Sequence, residues 1–170
     1  RHLVPLFQRP YVWSKEEQWE PLWEDISELA HRVLGGKGQV AGHFLGTVVL
    51  EQVDTPSGAV NRREIIDGQQ RLTTLQLLLQ SARLALGSVQ TNDEAAARAA
   101  QIEKNRLESL IFNPPGYDDT DRYKVWPTND DRAAFQQVMD ATAPEQLAGA
   151  GTRMADAFAY FSARIVEWLG

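Results

Sequence analysis

Apolar positions along the chain recur three and four apart in several stretches. Trp19, Leu22, Trp23, Ile26, Leu29 and Val33 form one such stripe, which predicts a helix with a single buried face. Ser14 and Glu17 have capping-box spacing, and Pro21 is best tolerated in a first turn. The main helix is therefore expected to start near Glu20, after a shorter turn, and to end in Gly35-Gly36-Lys37-Gly38. Leu72, Leu75, Leu79, Ala82 and Leu86 mark a second helix, opening directly after Gly68 and stopping at Gly87. Asn92-Asp93-Glu94 caps a third, running to about Phe112, and Thr128-Asn129-Asp130 starts a fourth through Met139. Met154, Phe158, Phe161, Ile165 and Trp168 mark a fifth.

The other apolar segments have strand character. His43 to Val53 and Arg62 to Asp67 flank the turn cluster Asp54-Thr55-Pro56-Ser57-Gly58, so an antiparallel pair is expected. Leu3 to Phe7, interrupted by Pro5, reads as an edge strand or extended arm. Tyr123 to Trp126 reads as a short strand, and Ala141 to Gly151 as a loose connection. Sheet elements come first and helices follow, which predicts an α+β fold.

Composition narrows the class. Of 170 residues, 43 % are hydrophobic and 24 % charged, which favours a packed core over disorder. The chain has no cysteine, which removes disulfides and thiolate metal sites. No apolar run approaches the roughly 18 residues a membrane span needs. No signal-peptide layout is visible either, so the cytoplasm is the expected location. The net charge of −6 means that any nucleic-acid contact must use a local basic patch. A start at Arg1 and an end just after an apolar helix lead us to expect a longer parent protein.

The candidate chemistry lies in Ile65-Ile66-Asp67-Gly68-Gln69-Gln70-Arg71-Leu72-Thr73-Thr74, a strand, one glycine and a helix start. The first amides of a helix have no internal partners and lie at its positive end, a ready anion site. Gly68 permits close backbone approach. Gln69 and Gln70 offer amide donors, Arg71 a bidentate fork, and Asp67 a ligand for Mg²⁺ or a positioned water. The plainer alternative makes Asp67 an N-cap and places the glutamines and Arg71 on a solvated turn. No Walker loop is present. A second cluster, Phe7-Gln8-Arg9-Pro10-Tyr11-Val12-Trp13, suits phosphate contacts and base stacking, although Trp13 fits a hydrophobic staple better. Elsewhere structural roles are expected: Asp118-Asp119-Thr120-Asp121 as an acidic loop, Asp130-Asp131 as helix caps, and His31 as a surface residue. His43 is expected to be a structural histidine beginning a strand. Arg62-Arg63 is read either as a phosphate contact or as a solvated strand edge.

These pieces resemble a family. Phe7 to Trp13, then Phe44-Leu45-Gly46-Thr47-Val48-Val49-Leu50, then Ile66 to Leu75 occur in this order in DUF262 proteins. That family includes GmrSD-type type IV restriction enzymes and SspE-type effectors that sense phosphorothioate DNA. The resemblance implies a small ParB/sulfiredoxin-like mixed sheet followed by a mostly helical portion, with a nucleotide-binding core at residues 1–90 and a helical extension at 91–170. It implies an NTPase role in bacterial defence, with binding and hydrolysis of a nucleoside triphosphate, often GTP, together with Mg²⁺. The catalytic set would be Asp67, Gln69, Gln70 and Arg71, with Asp67 on the metal. Gln8, Arg9, Gly68, Gln70, Arg71 and Thr73 would bind nucleotide. Phe7, Gln8, Pro10 and Tyr11 match the region that reads modified double-stranded DNA. The implied partner is a His-Asn-His-type nuclease domain. His2, His31 and His43 do not form a His-Asn-His arrangement, so the chain itself is not expected to cut DNA by that chemistry. A non-enzymatic DNA-binding module, using Asp67 to Arg71 as a backbone-phosphate clamp, is the alternative.

Overall fold

The computed structural model describes residues 1–36, 41–55, 57–114 and 121–169. Among these residues four strands form one mixed sheet: β1 (His2–Leu3), β2 (Val49–Val53), β3 (Arg62–Asp67) and β4 (Val125–Trp126). They lie in the order β2-β3-β1-β4. β2 and β3 are antiparallel, as expected for a hairpin, whereas β1 is parallel to both β3 and β4. The helices are α1 (Glu20–Leu34), α2 (Gln69–Ser88), α3 (Glu94–Ile111), α4 (Asn129–Asp140) and α5 (Arg153–Leu169). The fold is α+β. α2 is its central helix, packed against α5, α3 and α4. The sheet draws its fourth strand from the second half of the chain.

Three expectations about the sheet and the first helix change. The N-terminal strand is interior rather than at an edge, with β3 on one side and β4 on the other. Pro5 is compatible with this because the strand has ended at Leu3, so no ladder donor is lost. The strand expected from His43 starts only at Val49. Before it, Gly46 takes φ +94°, which no pleated ladder accommodates, and His43 turns its Nε2 to Asp25 on α1 at 3.2 Å. The turn ahead of α1 is a π-helix, Lys15–Trp19, in which the Trp19 amide bonds the Ser14 carbonyl at 3.1 Å. The wider turn adds one residue. It is therefore Gln18, not Glu17, that reaches back to accept from the Ser14 amide at 2.9 Å.

α2 departs most from its leucine stripe. Its inward face carries Gln70, Thr73, Thr74, Leu77, Gln80 and Ser81, all buried, while Leu72, Leu78, Leu79 and Leu84 pack at the margin. Buried polar groups are tolerable only when hydrogen-bonded, and helix ends supply the acceptors. Gln80 Nε2 donates to the carbonyls of Met139 and Ala141 at 3.0 and 3.1 Å, at the C-terminus of α4. Gln76 Nε2 donates to Leu110 in the last turn of α3 at 3.3 Å. Ser81 donates to Leu77 and Phe158. Through Gln76 and Gln80, α2 thus serves carbonyls at the C-terminal ends of α3 and α4.

The far end of the sheet holds a buried ion cluster. Asp121 is 4 % exposed, pairs with Arg1, and accepts from Arg62 Nη2 at 3.3 Å. Burial pushes its carboxyl up, but the two guanidiniums outweigh this and hold it below the ordinary carboxylate value. Asp121 is therefore structural, not part of a solvated loop; Asp118 to Thr120 lie outside the described residues. Arg62 is committed at the end of β3 opposite Gly68 and is not free to contact phosphate at the candidate site.

Candidate functional site

β3 ends at Asp67, and α2 starts two residues later. Gly68 makes the junction with φ +92°, in the left-handed region that glycine occupies without strain. The segment Thr47–Val48 crosses so closely that a Cβ at 68 would lie 3.0 Å from the Val48 side chain and 3.2 Å from the Thr47 carbonyl. The close backbone approach expected of this glycine is present.

No side chain caps α2, and its first turn contains no acidic residue. Asp67 is exposed and is not the N-cap, which is Gly68. The first ladder bond runs from the Leu72 amide to the Gly68 carbonyl at 3.0 Å, so the amides of Gln69, Gln70 and Arg71 precede the ladder. They border a cleft of about 210 Å³ lined by Gln8, Arg9, Trp13, Asp67, Gly68, Gln69, Gln70 and Arg71. The two motifs recognised in the sequence thus meet at one site, their cleft-lining residues 54 or more positions apart.

The two glutamines hold the motifs together. Gln70 donates to the Pro10 carbonyl and accepts from the Val12 amide, both at 2.9 Å, so one side chain pairs with the backbone much as a neighbouring strand does. Gln69 donates to the Arg9 carbonyl at 3.1 Å and to Gln8 Oε1 at 3.3 Å. Gln8 in turn donates to the Ile66 carbonyl at 3.1 Å. In place of two free amides, the first turn of α2 presents two nearly buried clamps.

Tyr11, expected at a DNA surface, is instead buried at 5 % exposure. Its hydroxyl accepts from Trp19 Nε1 at 2.9 Å and lies 2.7 Å from Thr74 Oγ1. Thr74 gives its proton to the Gln70 carbonyl, so Tyr11 is the donor to Thr74. The Tyr11 amide donates to Asp131 at 2.8 Å, which ties this segment to α4 and gives Asp131 a partner outside its own helix. Burial pushes the phenol from its ordinary 10 up to about 12. A group raised in this way favours folding below pH 10 and loses that contribution as pH rises toward 12. Alkaline titration is therefore expected to show Tyr11 ionising only with unfolding, and Tyr11→Phe is expected to remove one late-titrating phenol. Ionisation of the same phenol in the native chain near pH 10 would contradict the buried network.

Thr73, expected to bind nucleotide, is 3 % exposed on the inward face of α2 and does not line the cleft. Phe7 is 81 % exposed and Pro10 is exposed, so both are open to a ligand. Trp13, expected only as a packing residue, lines the cleft while resting partly on the core. Its position between the Gln8-Arg9 pair and the helix was the available signal.

Arg71 is the cationic centre of the cleft. Among the described residues no carboxylate pairs with it. Its Nη1 donates to the Thr47 carbonyl at 2.6 Å. Asp67 lies on the same cleft, and the described residues contain no cluster of three metal-ligating side chains. An open helix start with an unpaired guanidinium defines a polar cleft of the anion-binding type.

The chain belongs to the family of the GmrSD restriction endonuclease N-terminal domain, whose model matches residues 1–163. This makes it a domain of the DNA-restriction class. No curated protein matches it. Among the described residues no helix is long and apolar enough to cross a membrane.

Proposed function

We propose that the cleft at Gly68 binds the phosphate tail of a nucleoside triphosphate, such as GTP, and that the domain couples this to recognition of modified DNA in a restriction protein. The observation that carries the reading is the uncapped start of α2, opening on Arg71, which pairs with no carboxylate among the described residues. Backbone amides and a guanidinium are the groups that stabilise charge on transferring phosphoryl oxygens. At about 210 Å³ the cleft is smaller than the ~300–1,000 Å³ of whole-ligand pockets. It suits phosphates, leaving a base near Trp13 and outside the cleft.

Mg²⁺ commonly binds through one or two carboxylates together with substrate phosphates. The exposed carboxylate of Asp67 at the cleft fits that role, and the metal would neutralise phosphate charge there. Arg71 then orients the phosphate tail, while Gln69 and Gln70 keep Gln8 and Arg9 at the rim. Phe7 and Pro10, exposed and adjacent in sequence to Gln8 and Arg9 of the cleft, would meet the DNA backbone, a softer phosphorothioate included. A nuclease domain would read the result. Nucleotide and DNA must then change each other's affinity by the same factor.

Calorimetric titration with β,γ-imido GTP tests the reading. Arg71→Ala is expected to weaken binding at least tenfold, as loss of a charge-assisted bond does (about 1.5–3 kcal/mol), and to abolish phosphate release from GTP. Unchanged affinity and turnover in Arg71→Ala would remove the assignment. A second reading, a clamp for one DNA backbone phosphate, is favoured by the small cleft volume and the exposed Phe7. Duplex binding that falls steeply with salt and ignores nucleotide would select it.

A further inference from the structure

The segment Phe44-Leu45-Gly46-Thr47-Val48 precedes β2 without joining it, and the cleft is not lined by it. Thr47 and Val48 pass close to Gly68, and the rest of its contact with the site is made with Arg71. The guanidinium lies against the bare α-carbon of Gly46: a Cβ built there would be 2.6 Å from Cζ, 2.8 Å from Nη2 and 2.9 Å from Nη1. No real Cβ tolerates such distances, and the flexible end of Arg71 is what would move. On the same side, Nη1 donates to the Thr47 carbonyl at 2.6 Å.

We infer that Gly46 is a positioning residue for Arg71, its missing side chain and the next carbonyl forming a seat that turns the guanidinium toward the cleft. This rests on the reading of the cleft as a triphosphate site. A free arginine side chain loses conformational entropy when it grips a ligand. One pre-seated by a single bond to a carbonyl keeps most of its five N–H donors for phosphate oxygens and loses less on binding. The seat explains why glycine stands at 46 beyond its φ of +94°.

Gly58 provides the control, because it has a similar φ of +86° with nothing within 4 Å of a built Cβ. Gly58→Ala carries the backbone strain without a displaced neighbour. With β,γ-imido GTP as the probe, Gly46→Ala is expected to weaken binding about tenfold, and Gly58→Ala to leave it unchanged. In an Arg71→Ala background, Gly46→Ala is expected to add nothing, since residues acting through one contact are non-additive. Independent losses that multiply in the double variant would overturn the inference, as would wild-type affinity in Gly46→Ala beside a weakened Arg71→Ala. Wild-type affinity in Arg71→Ala would overturn the triphosphate reading and the seat together. Guanidinium NMR of the unsubstituted chain covers the case in which Gly46→Ala does not fold. Arg71 should then show slower rotation about Nε–Cζ than the exposed arginines; equally free rotation would mean there is no seat.

Discussion

Replacing Asp121 by asparagine is expected to destabilise the fold by about 3 kcal/mol at neutral pH. Removing one partner of a buried ion pair leaves the other charge uncompensated, which costs about 3–5 kcal/mol. The lower end applies because the Arg62 side chain is 39 % exposed and can turn to water, while the Arg1 side chain, at 6 %, cannot. Asparagine keeps the shape, so the loss reports charge and not a cavity. Asp121 is held below its ordinary 3.8. Its contribution is therefore present above that value and disappears as pH falls through the lower folded value. Urea unfolding of both proteins at pH 7 and then under acid should show the gap closing as pH drops. A gap that persists unchanged in acid would mean that the carboxylate charge is not what Asp121 supplies.

Gln80→Leu is expected to cost about 2–3 kcal/mol, although leucine is the more apolar residue and the site is fully buried. Each buried polar group left without a partner costs about 1–3 kcal/mol. Gln80 serves the carbonyls of Met139 and Ala141 and also accepts from Arg83 Nε at 2.8 Å. Extra apolar burial by leucine offsets only part of this loss. The damage should be local to the end of α4, which hydrogen exchange can resolve: the amides of its last turn should open sooner than those of α5. Equal or greater stability in Gln80→Leu would show that water replaces the amide and that the helix end was not closed by it.

Apolar spacing placed α1, α2 and α5, capping residues placed α3 and α4, and a turn cluster between two strand-type segments placed the β2–β3 hairpin, because each of these signals is carried by residues close together in sequence. The candidate site was legible for the same local reason. A strand, one glycine and a helix start lie within ten residues of sequence, and Gly68 adopts the dihedral that this junction demands. Where long-range partners decide, the local signal misled. The leucine stripe of α2 indicated the wrong inward face, because the polar residues there are satisfied by carbonyls 34 to 77 residues away.

The sequence by itself determined the α+β order of elements, the position of the anion-suited helix start and the residues Asp67 to Arg71 that surround it. Tertiary structure alone decided that Gln69 and Gln70 fasten the early segment, that Tyr11 and Thr73 turn inward, and that Trp13 joins the cleft. It also decided that Gly46 yields its side-chain space to Arg71. The reason is common to all of these. A hydrogen-bonding side chain takes its role from whichever donor or acceptor the folded chain brings within about 3 Å, and no pattern of neighbours in sequence specifies that partner.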